Sequence, residues 1–395
     1  MRLKIDLKDY TGKCINCSFC EAVCPTYQAF DYISSYGARG RIFLAREIVN
    51  KKIGIQNIRD FYYSCLNCNV CESVCPAGIS AGKASLMVKN IMKNEGIKDY
   101  IVDALVKNIL KEKSPTGKMV GPSWYDISMK NNSPTLFYTG GMYYLMAQAK
   151  ILSDLIKKNK MKDLAEKILE KNENIIKLFS NFEDKKMKMK MDSIILKIYN
   201  IIKTEYKDVS YLGYLEPYSG ALLYEFGYHE ELIEYGKYLR DFFNSLNVRN
   251  IIVSDPHTYE VLKIVYPDIV DNFNFEIEYY LDIIRLKIKK TNKSYAYHEP
   301  CHFTAHLKVD TPLNILNSIG EVKLPVRNGK NTYCCGGPIE MLFPSNSDYI
   351  SSNRYNQLKE LNADEIVTAC PVCYANLGKH GDIKDISEIL YDLYF

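Results

Sequence analysis

The sequence predicts an α+β protein of several domains, with a cysteine-organised N-terminal domain followed by α/β lobes. Three observations carry that prediction. The first is a cysteine run that occurs twice within the first eighty residues. The second is the text after Pro122 or Pro134, where short strand-like stretches (LFYTGG, RNIIVSD, KSYAYHEP, DEIVTAC) alternate with helical spacing, the pattern of small parallel sheets. The third is length: 395 residues with 47% hydrophobic content suffice for two or three ordinary cores. Tyrosine-rich text throughout is read as core and interface filling.

The N-terminal element is defined by Cys14-x2-Cys17-x2-Cys20-x3-Cys24-Pro25 and Cys65-x2-Cys68-x2-Cys71-x3-Cys75-Pro76. Three thiolates two residues apart turn inward from one tight loop onto three corners of a cube, and the fourth corner must come from elsewhere. This is the run with which bacterial-type ferredoxins hold [4Fe-4S] clusters, so the chain is expected to carry electrons. In two-cluster ferredoxins the cysteine before proline serves the other cluster. That implies the sets Cys14, Cys17, Cys20 with Cys75, and Cys65, Cys68, Cys71 with Cys24. Pro25 and Pro76 suit this by biasing the preceding cysteine away from helix. Zinc also accepts four cysteines, but its motifs group them as two separated pairs rather than four in eleven residues. Disulfides are a poorer account in a long chain with no secretory leader.

Net charge is +4, from 51 basic and 47 acidic side chains, too even to point to nucleic acid. No run of eighteen apolar residues occurs, and the opening MRLKIDLKDYTGKC has no apolar signal core. The expectation is a cytoplasmic protein, any membrane contact being peripheral to the inner face or made through a partner.

Eight of the 13 cysteines lie in the two runs, and the other five are Cys301, the pair Cys334 and Cys335, and Cys370-x2-Cys373. That division fits metal clusters better than scattered core thiols. Tyr333-Cys334-Cys335-Gly336-Gly337-Pro338 supplies glycines where backbone must pass close to a bulky inorganic group. Ile366 to Ala369 reads as a short buried strand ending at Cys370.

The spacing Cys301-x32-Cys334-Cys335-x34-Cys370-Pro371-Val372-Cys373 resembles the CCG domain. That domain is found in heterodisulfide reductase catalytic subunits and in the iron-sulfur subunits of anaerobic glycerol-3-phosphate, glycolate and lactate dehydrogenases. Those relatives carry the doubled ferredoxin run in front, in an all-helical domain. The stretch from Cys24 to Cys65, with Gly40-Arg41-Ile42, fits that version. Besides two cubane [4Fe-4S] clusters, the resemblance implies a third cluster, noncubane in heterodisulfide reductases, on Cys301, Cys334, Cys335, Cys370 and Cys373.

The family also carries the lobe twice, and the middle of the chain holds a stripped copy. Tyr218 and Ser219 stand for the cysteine pair, Asp255 and Thr258 for the closing two, and Gly141 for the first. These oxygen donors cannot replace thiolates around iron and sulfide, so no cluster is expected there. The ends repeat too, Phe275 to Ile284 and Ile383 to Leu390 each reading as a strand leading into a helix. The expected domains are thus a helical ferredoxin domain at 1–115, a degenerate CCG lobe at 116–290 with a helical insertion at about 150–205, and an intact CCG lobe at 291–395. Within the insertion, Lys185 to Met191 with Ile194, Ile195, Ile198, Ile201 and Ile202 is read as a surface helix packing its apolar face inward, rather than as a membrane-surface segment.

His298, His302 and His306 surround Cys301 at helical spacing and with it have the composition of a zinc or mononuclear iron site. Because the Pro-Cys-His text matches CCG relatives whose cysteine goes to the cluster, they are read instead as groups that hydrogen-bond sulfur, His302 first among them. His257, beside Asp255, has the alternatives of a mononuclear metal ligand or a donor to a partner's cofactor, and is read as structural.

The leading expectation is an electron-transfer subunit that relays electrons between a flavoprotein dehydrogenase and a quinone or other carrier. The chain has no convincing phosphate-cradling glycine loop, so flavin belongs to the partner. The alternatives are a heterodisulfide reductase-like subunit that reduces a disulfide at the third cluster, and a zinc-binding scaffold.

Overall fold

Short helices fill the N-terminal part of the chain in the computed structural model, which describes residues 6–159, 183–285 and 289–395. Each cysteine run winds through two residues of positive φ, Asn16 (59°) and Ser18 (68°) in the first, Asn67 (48°) and Asn69 (54°) in the second. Asparagine is among the few residues that enter the left-handed region routinely, so the text between the cysteines already favours this winding. A single helical turn follows in each run, Phe19–Ala22 and Val70–Ser73, and the two turns pack together. Behind them run the longer helices Ala38–Val49 and Ala81–Asn94. Ser80 caps the second by accepting from the N–H groups of Gly82 and Lys83, and Asp99 caps Tyr100–Glu112 through Ile101 and Val102. A Cβ at Gly40 would run into the Ser34 carbonyl, so close approach of backbone dictates that glycine.

From Thr135 onward the chain builds two four-stranded sheets, parallel throughout. The first contains β1 (Thr135–Tyr138), β2 (Ser210–Tyr211), β3 (Asn250–Val253) and β4 (Glu276–Tyr279), in the order β2-β1-β3-β4. The second contains β5 (Ser294–His298), β6 (Glu321–Lys323), β7 (Glu365–Thr368) and β8 (Lys384–Asp385), in the order β6-β5-β7-β8. Registers correspond: Tyr138 faces Val253 in one sheet, and His298 faces Thr368 in the other. The central strands are buried runs such as Leu136, Phe137 and Tyr138, as sheets covered on both faces require. Strand order reverses between β1 and β3 and between β5 and β7, and open α/β sheets gather ligands at the carboxyl ends beside such a reversal.

Helix Lys185–Glu205 buries Met191, Ile194, Ile195, Ile198, Ile201 and Ile202 against helices Met142–Asn159 and Ile386–Tyr394, while Lys185, Lys186 and Lys190 stay exposed. The remainder of the expected insertion, 160–182, lies outside the described residues. One expectation fails: after β4 the chain makes a turn at 280–283, not a helix. In the second sheet Asp385 and Glu388 form a reciprocal capping box that starts the C-terminal helix. The register position of Asp385 is taken in the first sheet by Tyr279, which has no capping oxygen.

Candidate metal centres

Cys24, Cys65, Cys68 and Cys71 line one small cavity, so the cysteine before Pro25 reaches across to the second run. Burial pushes the Cys20 and Cys71 thiols up to about 12. Cys71 and Cys24 push Cys20 further, which places the two runs side by side. Thiols held neutral this firmly become ligands when a cation replaces the proton, which is the chemistry of an iron-sulfur site. Cys71 Sγ accepts from the N–H of Ala81 at 3.2 Å. The buried guanidinium of Arg41 lies against Cys24, its Nη1 3.9 Å from the sulfur and 3.0 Å from Thr26 Oγ1, while Nη2 donates to Ser64 at 3.0 Å. In the second run Cys65 and Cys71 are buried and Cys68 and Cys75 half-buried; in the first, Cys14, Cys20 and Cys24 are half-buried and Cys17 is exposed.

The five remaining cysteines are all buried and their sulfurs form one unbroken series, Cys301 to Cys334 to Cys335 to Cys373 to Cys370. Cys301 follows β5, and Cys370 and Cys373 follow β7, so the two strands flanking the reversal of order supply three of the five. The Cys334 contact lowers Cys301 and Cys335 alike and is the main cause in each, while Cys334 itself is raised. Cys68 is raised by burial and next by Cys301, so the second ferredoxin run abuts the five-cysteine group.

His298 and His302 divide their work differently from the expectation. Arg354, fully buried, donates Nε–H to His298 Nδ1 at 3.0 Å. Arginine only donates, which leaves the ring proton on Nε2. That nitrogen has no oxygen or nitrogen acceptor and lies with the sulfurs of Cys335 and Cys373 in a group whose atoms are within 4.8 Å of one another. His298 therefore is the histidine that faces sulfur. His302 turns away, its Nδ1 2.6 Å from Glu260 Oε2 and its Nε2 3.3 Å from Glu225 Oε1. The wound segment His302–Leu307 is π-helical, and the added residue per turn aims the two histidines together at Glu260. Sequence reasoning missed Arg354, Glu225 and Glu260: each is an ordinary charged residue far along the chain from its partner.

In the middle of the chain Gly141 borders Tyr218, 3.3 Å from where a Cβ would stand, and a Cβ at Gly140 would collide with Thr258 and approach Ser219. The residues read as stand-ins for the five cysteines thus do meet, but with ring and hydroxyl groups. Asp255 caps Pro256–Glu260 by accepting from the N–H of His257 at 2.9 Å and of Thr258 at 3.0 Å. Cys370, at the same place before Pro371–Leu377, makes no such cap bond and keeps its sulfur for the group beside it.

Residues 10–79 match the model of the 4Fe-4S dicluster domain, and residues 295–378 that of the cysteine-rich CCG domain. Two segments of the chain thus match iron-sulfur and cysteine-rich domain families, the second of them CCG. It is similar to a chain of the dihydromethanophenazine:CoB--CoM heterodisulfide reductase of Methanosarcina barkeri, 23% identical over 98% of this chain and 96% of that protein. Shorter likenesses join it to the EtfAB:quinone oxidoreductase of Syntrophomonas wolfei (29% identical, 38% of this chain and 24% of that one) and to the glycolate oxidase iron-sulfur subunit of Escherichia coli (37% identical, 17% and 16%). No helix among the described residues is long and apolar enough to cross a membrane.

Proposed function

We infer that this chain is an iron-sulfur electron-transfer subunit of an oxidoreductase complex. The observation that carries the reading is the succession of sulfurs from exposed Cys17, through the cavity of Cys24, Cys65, Cys68 and Cys71, to the buried group that begins at Cys301. In this reading Cys14, Cys17, Cys20 and Cys75 hold one cubane cluster, Cys65, Cys68, Cys71 and Cys24 a second, and Cys301, Cys334, Cys335, Cys370 and Cys373 a noncubane third. Bound there, [4Fe-4S] clusters supply one-electron steps. The protein's own residues do the rest. The Cys17 loop presents a wet entry to a partner, Arg41 sets positive charge against the thiolates of the second site, and burial keeps water from the third.

The domains follow as 1–115, 116–290 and 291–395, with the middle lobe a degenerate copy of the last. Identical strand order and register in the two sheets support that duplication. The proposed partner is a flavoprotein dehydrogenase, with electrons passing to a quinone or other carrier, in line with the quinone oxidoreductase and glycolate oxidase names among the relatives. Likeness to the heterodisulfide reductase relative over nearly the whole chain favours a second reading, reduction of a disulfide at the third cluster. Gly141, Tyr218, Ser219, Asp255 and Thr258 weigh against it, since they give the middle lobe no thiolate.

Anaerobic purification with iron and sulfide counts tests the proposal, about twelve of each per chain being expected for three clusters. Cys24→Ser should alter the paramagnetic resonance signal of the cluster on Cys65, Cys68 and Cys71 and spare the others. Zinc at stoichiometry with no inorganic sulfide would overturn it.

A further inference from the structure

Five buried side chains outside the sulfur sites converge between the two sheets: Glu225, His257, Glu260, His302 and His306. His302 stacks between the other rings, 3.9 Å from His257 and 4.3 Å from His306 between centroids. Glu260 is saturated, since its carboxylate faces Nδ1 of both His302 (2.6 Å) and His306 (2.9 Å). His306 Nε2 is occupied by Asn67, whose carbonyl lies 2.7 Å away. What remains is His302 Nε2, buried and without a hydrogen-bond partner. It points at Glu225, whose other oxygen accepts from Asn67 Nδ2 at 2.8 Å. One donor atom each from Glu225, His257 and His302 lies within 4.8 Å of the others.

Glu225 and His257 also line a small cleft with about 60 Å³ of space open to water, room for a few water molecules. Apart from Glu340, its other walls are apolar, among them Met142, Leu145, Leu222, Phe226 and Met341. Gly337 and Val372 form the side toward the five cysteines, a Cβ on Gly337 standing 3.5 Å from Cys335 Sγ.

We propose that Glu225, His257 and His302 bind a mononuclear divalent transition-metal ion, zinc or ferrous iron, with a coordination position open to this cleft. Two imidazoles and one carboxylate are the donor set such ions take when they keep a site for water or substrate. Glu260 then plays the part of the carboxylate that accepts the second ring N–H of a ligating histidine, fixing its tautomer and orientation. Without an ion the same geometry requires a proton shared by His302 between two carboxylates. The site goes beyond electron relay, because it sets a Lewis acid across an apolar cleft from the five-cysteine group.

Metal analysis of the anaerobically purified full chain separates the two accounts. The expected result is one metal per chain in excess of inorganic sulfide, read as zinc, or as iron that gives a nitrosyl resonance signal distinct from the clusters. Glu225→Gln and His257→Ala should each lower that excess at least tenfold while sulfide and cluster absorption stay unchanged. Anomalous diffraction from the unaltered protein at the zinc and iron edges gives a check independent of the variants' folding, with a peak expected between Glu225 and His302. Iron equal to sulfide with no other metal, or an ion retained in both variants, overturns the proposal and leaves the shared proton in its place.

Discussion

Arg354 fixes which nitrogen of His298 keeps its proton, and through that choice supplies the five-cysteine group with an N–H donor in a place closed to water. Hydrogen bonds to cluster sulfur favour the more negative, reduced state. One such bond is worth about 1 kcal/mol, which for a one-electron couple is about 40 mV. His298→Phe is therefore expected to lower the potential of the proposed third cluster by about that amount in a redox titration followed by paramagnetic resonance. The other two clusters should be unmoved. The variant should also lose about 1–3 kcal/mol of stability, because Arg354 Nε is left buried without its acceptor. Sequence spacing located the histidines but not their roles. His298 and His302 flank Cys301, and only the direction of β5 and of the π-helical segment after it sends one ring to sulfur and the other to Glu260.

At the scale of the element, the loops after strands carry the chemistry, and Glu216 shows how one is held. Its carboxylate accepts from Thr139 N at 3.0 Å and from Thr139 Oγ1, pinning the turn that leads into Gly140 and Gly141. Burial pushes Glu216 from 4.5 up to about 8, against these donors. The folded chain thus holds a proton that the unfolded chain has released between those two values. Stability contributed by the protonated group is whole below about pH 4.5 and is lost as pH rises toward 8, with a slope of at most about 1.4 kcal/mol per unit. Glu216→Gln should flatten that part of the profile, as read from denaturant midpoints at pH 5 and pH 7.5. The cysteine runs and the strand-like stretches were legible because their signals are local: fixed spacing, turn residues, short apolar runs. The turn after β4 was not, because Tyr279 copies a strand end without copying the cap that Asp385 gives the next helix.

Across the whole molecule, burial rises from Cys17 to the five-cysteine group, so an outside donor or acceptor meets the first ferredoxin run before any other sulfur. Cys17→Ser is expected to slow reduction of the third cluster by an external one-electron donor at least tenfold in stopped-flow absorbance, leaving its equilibrium potential in place. Equal rates in both proteins would mean a second entry. Whole-chain bonds were the part least visible in the sequence. Arg327 donates to the carbonyl of Val23 at 2.8 Å, Asn346 to that of Ala29 at 2.6 Å, and Asn67 meets both Glu225 and His306. Asn67 sits between two cysteines of the second run, so the loop that shapes one redox site is also a wall of the histidine-glutamate cluster. The dicluster segment is accordingly no detachable ferredoxin. Cutting it free would take Asn67 away from Glu225 and His306, open that cluster to water, and relax the loop that carries Cys65 and Cys68.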